Sequence, residues 1–214
     1  MSTVFIVYNP GYAGTLFHRL LCLSPSVVPH LQINKLKRIV ETAVPEPPDP
    51  YSFSFVNTYY TNWQLFHRDY ADFYYHSLYT SLRDLPSYNN YEHIVYSIHP
   101  LEFRYLEQDI LKINDARFFY VDLDLGKYNN WLTVCQQQLG WETRDNESTI
   151  GLELKNAYNM DTISLTNVLK SNLAFLDEYV VLCDKLKIKP DIDSATKLYK
   201  DWRSVRFDNF CIDR

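Results

Sequence analysis

The chain has 214 residues and a mass of 25.4 kDa, which is typical of one large domain and excludes a multidomain assembly. Hydrophobic residues make up 46% and charged residues 22%, a balance that excludes a disordered or collagen-like protein. The net charge of -5 and the isoelectric point near 5.7 argue against a general nucleic-acid coat, which needs a basic surface, and leave a local basic pocket as an alternative.

Strand and helix patterns alternate over the first half of the chain. An apolar, β-branched run over residues 4–8 predicts a buried strand that ends at Asn9-Pro10-Gly11, and leucines at helical spacing predict a helix over residues 15–23. The next predicted elements are a partly exposed helix over 31–44, a stiff proline-rich loop over 45–50, a strand over 51–56 and an aromatic helix over 63–82.

The second half has the pattern of a parallel α/β sheet. Apolar runs predict strands over residues 94–98 and 118–121, and the helical pattern over 101–113 has the length of a crossover helix. Further helices are predicted over 129–139 and, beyond a polar loop, over 164–186 and 193–205. The predicted fold is a single three-layer α/β domain over residues 1–214, with a mainly parallel central sheet and a helical C-terminal part.

Cysteine spacing and hydropathy indicate the compartment. The four cysteines lie far apart and form no C-x-x-C pair, so we expect free thiols and no metal site. No apolar run approaches the roughly 20 residues that span a bilayer, and no basic leader precedes the first strand. We therefore expect a cytoplasmic protein.

Tyrosine is unusually frequent, at 18 of the 214 residues. Its side chain combines an apolar ring with a hydroxyl, which suits either the edge of a core or a contact surface. We expect most tyrosines at core edges, with a tyrosine-rich surface for a protein partner as the alternative.

The most informative segment joins the first strand to the first helix and reads Asn9-Pro10-Gly11-Tyr12-Ala13-Gly14-Thr15. At such a turn, backbone amides and the positive end of the helix dipole favour an anion, and phosphate is the natural ligand. The segment is neither a G-x-x-x-x-G-K-[ST] loop nor a G-x-G-x-x-G loop. In the alternative interpretation, its glycines serve only the steric needs of a tight turn.

These residues resemble the phosphosulfate-binding loop of the P-loop-like sulfotransferases, some of which read P-K-T-A-G-T. Pro10, Ala13, Gly14 and Thr15 match that pattern. In the family, a later strand leads into R-[DN]-P-x-x-R, and the segment from Tyr96 to Arg104 lies in the corresponding place. The helix that ends at Leu139-Gly140 is similar to a late helix of the family, so the resemblance extends over about two thirds of the chain.

The resemblance implies a P-loop-like sulfotransferase architecture and 3′-phosphoadenosine 5′-phosphosulfate as the sulfate donor. It implies that the donor is held by Gly11, Tyr12, Ala13, Gly14 and Thr15, with His99 and Arg104 near the second phosphate. The acceptor would be an unidentified hydroxyl compound, and His67 is the candidate for the base that activates it.

Two departures from the family concern its principal cations. Gly11 stands at the position of the loop lysine, and Ile98 stands at the position of the first arginine of the second motif. Those cations stabilise charge during transfer, so their loss removes transition-state stabilisation. The candidates to replace them are Arg104, His99, Arg19 and His18.

Other charged groups have simpler interpretations. Asp122 and Asp124 follow a predicted strand, where they can hold a divalent cation, but we favour roles in a turn and a helix cap. Lys197, Lys200, Arg203 and Arg206 recur at steps of three, and we expect a solvated basic helix face rather than a phosphate-binding one.

A second class of function stays open. Without the family's cations, the same fold can serve as a catalytically inactive binding or assembly component. Similar small proteins are also encoded by bacterial viruses, so the resemblance leaves a viral origin and a virion-associated location as alternatives.

Restoring the missing loop cation tests the resemblance. We expect Gly11→Lys to strengthen the binding of adenosine 3′,5′-bisphosphate, measured by calorimetry, because the added charge would meet a phosphate. No gain in a folded variant would mean that the loop does not face a phosphate.

Overall fold

The computed structural model describes residues 2–9, 12–27, 91–128 and 147–203. In chain order these residues form β1 (Ser2–Tyr8), α1 (Gly14–Leu21), β2 (His93–Ile98), α2 (Pro100–Ile110), β3 (Ala116–Asp122), α3 (Glu147–Ala157), β4 (Asp161–Ser164), α4 (Leu165–Lys170), α5 (Asn172–Leu186) and α6 (Ile192–Arg203). The elements predicted over 31–44, 45–50, 51–56, 63–82 and 129–139 lie outside the described residues.

The described strands form one sheet in the order β2-β1-β3-β4, and every pairing is parallel. β1 is an inner strand, which pairs with β2 from Ser2 to Val7 and with β3 from Thr3 to Tyr8. An inner parallel strand is covered on both faces, which explains its continuous apolar run. The prediction of a parallel α/β sheet is therefore confirmed.

Alternate residues of β1 enter two hydrophobic cores. Val4, Ile6 and Tyr8 belong to a core with residues of α1, α4, α5 and α6 on one face of the sheet. Phe5 and Val7 belong to a second core with residues of α2 and α3 on the other face. The described residues thus form the predicted three layers, and α4 to α6 are the predicted helical C-terminal part.

The structure corrects the sequence prediction after residue 146. The expected polar loop contains α3 and β4, a strand of 4 residues in which only Ile163 is buried. The single helix expected over 164–186 is divided at Ser171, which is extended (φ -164°) and whose hydroxyl accepts the Ala174 amide at 3.1 Å. Ser164 caps α4 in the same way through the Asn167 amide at 3.2 Å.

Tyrosines occupy the interior of the described part of the chain. Tyr8, Tyr12, Tyr120, Tyr179 and Tyr199 are buried. A further four, Tyr91, Tyr96, Tyr128 and Tyr158, are half-buried. This distribution supports the core-edge interpretation for these residues, while the contact-surface alternative stays a prediction.

No helix in the described ranges is both long enough and apolar enough to cross a bilayer.

Gly14, the first residue of α1, packs directly against the ring of Tyr8. A methyl group on its α-carbon would lie 2.0 Å from Cδ1 and 2.2 Å from Cγ of that ring. Tyr8 is itself buried, so the ring cannot swing away. The close approach of α1 to the end of β1 therefore requires glycine, as the steric interpretation of this turn predicts.

We expect Gly14→Ala to lower the free energy of unfolding by about 1–3 kcal/mol, since the added methyl overpacks this contact. Urea denaturation measures the change. The control is Gly126→Ala, where the methyl would lie 3.2 Å from an exposed carboxylate oxygen of Asp124. Equal stability of the Gly14 variant and wild type would contradict the packing.

Candidate functional site

The order of strand addition reverses between β1 and β3. Strand β2 lies on one side of β1, and β3 and β4 follow on the other. The helix after β1 packs on one face, and the helix before β4 packs on the opposite face. Adjacent parallel strands whose connections leave in opposite directions open a crevice beyond their carboxyl ends, where α/β proteins bind ligands. Asn9 and Asp122 stand at this switch point.

A buried polar cluster lies at the floor of the switch point. The side-chain amide of Asn9 donates to the hydroxyl of Tyr120 at 3.0 Å and is also hydrogen-bonded to Tyr12. In the part of the chain that the structure describes, Oδ1 of Asn9 has no hydrogen-bond partner although it is fully buried. It faces Gly151 of α3, where a methyl group would lie 3.0 Å from Oδ1 and 2.8 Å from the Tyr120 hydroxyl. Gly151 therefore lets α3 approach both strand ends.

The two phenols of the cluster remain protonated at neutral pH. Burial raises the pKa of Tyr120 to about 12, against the opposing effect of the Asn9 hydrogen bond. Burial also raises the pKa of Tyr12, and the nearby Asp122 carboxylate adds to the rise. These hydroxyls can donate hydrogen bonds to a ligand, but they are poor bases.

Asp122 and Lys155 form an ion pair at the rim of the cluster. Nζ of Lys155 lies 3.5 Å from Oδ2 of Asp122 and 5.6 Å from the centre of the Tyr120 ring. The Asp124 side chain instead caps a helical turn, because its Oδ1 accepts a hydrogen bond from the Gly126 amide at 3.1 Å. The cap role favoured for Asp124 is confirmed, and Asp122 is engaged by a cation of the chain.

The α1 turn brings the middle of the predicted anion loop to the same edge. Ala13 precedes α1 with φ 55°, a left-handed conformation, and its side chain provides no cap. The Tyr12 amide donates to the Asn9 carbonyl at 2.9 Å. The first amides of a helix lack acceptors within the helix. Pro10, Gly11 and the side chain of Thr15 lie outside what the structure describes.

His99 reaches the same strand end from the far side. Its Nδ1 lies 3.1 Å from the Tyr8 carbonyl, to which a protonated Nδ1 donates, and the two rings are 4.5 Å apart between centres. The structure therefore places His99 beside Tyr8 at the carboxyl end of β1, and its approach to a second phosphate stays a prediction. His67 lies outside the described residues.

Arg104 lies on the outer surface between α2 and α3. Its guanidinium pairs with Glu153 at 3.0 Å and with Glu107 at 3.8 Å, and its side chain is 46% exposed. Glu107 also accepts a hydrogen bond from Tyr158. These contacts hold Arg104 among carboxylates, so an anion would have to compete with them.

His18 cannot replace a missing cation. It is buried, with Nδ1 3.2 Å from the Ser97 hydroxyl. Burial, reinforced by the charge of Arg19, lowers its pKa to about 3, so the imidazole is neutral at physiological pH. The expectation that His18 supplies charge is therefore wrong. Arg19 is buried beside it.

Four participants were missed by sequence reasoning: the side chain of Asn9, Tyr120, Gly151 and Lys155. Asn9 and Tyr120 are 111 residues apart in the chain, so local patterns cannot pair them. Two sequence signals could have indicated these residues: a polar residue at the end of a buried strand, which is Asn9, and a glycine within a helical run, which is Gly151.

Comparison with known proteins adds no family. The chain matches no protein-family model and no curated protein sequence. The sulfotransferase resemblance therefore depends on the residues of the chain alone.

The buried, neutral His18 makes a sign-specific prediction for acid stability. The unfolded chain protonates His18 near pH 6.5 but the folded chain only near pH 3, so its contribution is complete above pH 6.5 and is lost as pH falls. In His18→Asn, the free energy of unfolding should fall less steeply between about pH 6 and pH 4, by about 1.4 kcal/mol per pH unit. Parallel curves from urea denaturation would contradict a neutral native His18.

Proposed function

We propose that the protein binds an adenosine phosphosulfate-type nucleotide at the switch point between β1 and β3, as a sulfotransferase-like protein. The observation that carries the proposal is the start of α1 at this edge, preceded by Ala13 without a side-chain cap. A helix that begins beside the carboxyl end of an inner parallel strand directs its amides at a bound anion.

The proposed ligand contacts combine backbone and side chains. The amides of Gly14 and Thr15 and the Thr15 hydroxyl would hold one phosphate. His99, which lies against the Tyr8 carbonyl, is a candidate for the second phosphate. Arg104 would bind the second phosphate by exchanging Glu153 and Glu107 for it.

The proposed reaction is sulfuryl transfer to a hydroxyl acceptor. The acceptor oxygen forms a bond to sulfur while the bond from sulfur to the 5′-phosphate oxygen breaks, which leaves adenosine 3′,5′-bisphosphate. The acceptor proton passes to a base, for which His67 is the candidate. Positioning and charge stabilisation supply most of the acceleration in chemistry of this type.

A second candidate is a binding or assembly protein without transfer activity. It is favoured by the charge pattern, because His18 is neutral and Arg104 is engaged by carboxylates. Such a protein would retain the fold and lack the cations that the reaction needs.

Calorimetry with adenosine 3′,5′-bisphosphate tests the proposal. We expect binding that weakens about 10-fold or more in Thr15→Ala, since a hydrogen bond to a charged group is lost. The control is Thr196→Ala, a helical threonine whose hydroxyl donates to the Ile192 carbonyl at 2.7 Å on α6. No heat at millimolar nucleotide would reject the proposal and favour the assembly candidate.

A further inference from the structure

Lys155 is less exposed than two other ion-paired cations of the described residues, Arg104 and Lys127. Its side chain is 23% exposed, against 46% for Arg104 and 71% for Lys127. The charge of a partly buried ammonium interacts more strongly with an anion because the local dielectric constant is lower. Its side chain has also lost conformational entropy already on folding, so binding an anion costs less entropy. Lys155 is therefore better prepared to bind an anion than either of those residues.

The direction of Lys155 follows from the direction of α3. Side chains of a helix tilt toward its N-terminus, and α3 runs from the carboxyl edge back toward the start of β4. The ammonium group accordingly extends toward the carboxyl edge, where it meets Asp122 at the end of β3. The Tyr120 ring supports it from below, at 5.6 Å.

The geometry points to Lys155 as the cation that contacts the anionic group of the ligand at the switch point, in the role of the missing loop lysine. This inference rests on the proposed nucleotide site. Asp122 is the positioning residue, which neutralises the ammonium when no ligand is bound. A bound phosphate or sulfate group competes with Asp122 for Lys155 and is repelled by the Asp122 carboxylate.

The arrangement predicts opposite effects for the two members of the pair. Lys155→Met should weaken the binding of adenosine 3′,5′-bisphosphate about 10-fold or more, because a charge-assisted hydrogen bond is lost. Lys155→Arg should retain most of the affinity. Asp122→Asn should strengthen binding by roughly 3- to 10-fold, since a negative charge close to the ligand is removed. A purely structural pair would weaken binding in both variants.

A matched ion pair serves as the control. Lys185 lies 2.5 Å from Asp161 at the start of β4, which pairs with Phe119 in the middle of β3. Lys185→Met and Asp161→Asn change net charge by the same amounts as the test variants, so they should leave nucleotide affinity within about twofold of wild type. Thermal unfolding checks that all variants are folded.

The outcomes separate the inference from the function. Opposite shifts in the Lys155 and Asp122 variants, absent from the control pair, support the inference. Wild-type binding with unchanged affinity in Lys155→Met, or weaker binding in Asp122→Asn, overturns it and leaves the nucleotide site intact. No binding by wild type rejects the proposed function, and the assignment of Lys155 falls with it.

Discussion

The pairing of β1 with a parallel strand on each side is the constraint on which the rest of the structure depends. Backbone hydrogen bonds to β2 and β3 hold its polar groups, so every side chain from Thr3 to Tyr8 can be buried. Alternation sends these side chains into two cores, which fixes helices on both faces. β1 ends at Tyr8. The turn into α1 therefore forms at the switch point, where the order of strand addition reverses.

Close packing at this exit explains several unusual residues. A side chain at position 14 would clash with the Tyr8 ring, and one at position 151 would clash with the Tyr120 hydroxyl and Asn9, so both positions are glycine. Asn9 satisfies two buried phenols with one amide and leaves its own Oδ1 unpaired within the described part of the chain. A buried unpaired oxygen costs stability, and such costs concentrate at functional sites. The three basic side chains nearby differ in their availability to an anion. Lys155 lies at the carboxyl edge beside Asp122, Arg104 is paired with Glu153 on the surface, and His18 is neutral.

Local patterns in the sequence predict the inner strands of the fold but not the buried polar cluster at the switch point. The apolar runs of β1, β2 and β3 are visible because parallel strands are buried on both faces. β4 escapes notice because it has 4 residues and one buried side chain, and α3 because Gly151 interrupts its helical pattern. The Asn9, Tyr120 and Lys155 cluster joins segments distant in sequence, so its members become neighbours only through the sheet order. The sequence indicates that Gly14 belongs to a tight turn, but it does not predict the contact of Gly14 with the Tyr8 ring.

The central claim is that an anionic nucleotide binds where β1 and β3 end, and a crystal structure of the complex with adenosine 3′,5′-bisphosphate tests it most directly. We expect a phosphate group within about 3 Å of the first amides of α1 and of the Lys155 ammonium. A nucleotide bound near Lys185 instead, with the Asp122–Lys155 ion pair at the switch point intact, would contradict it.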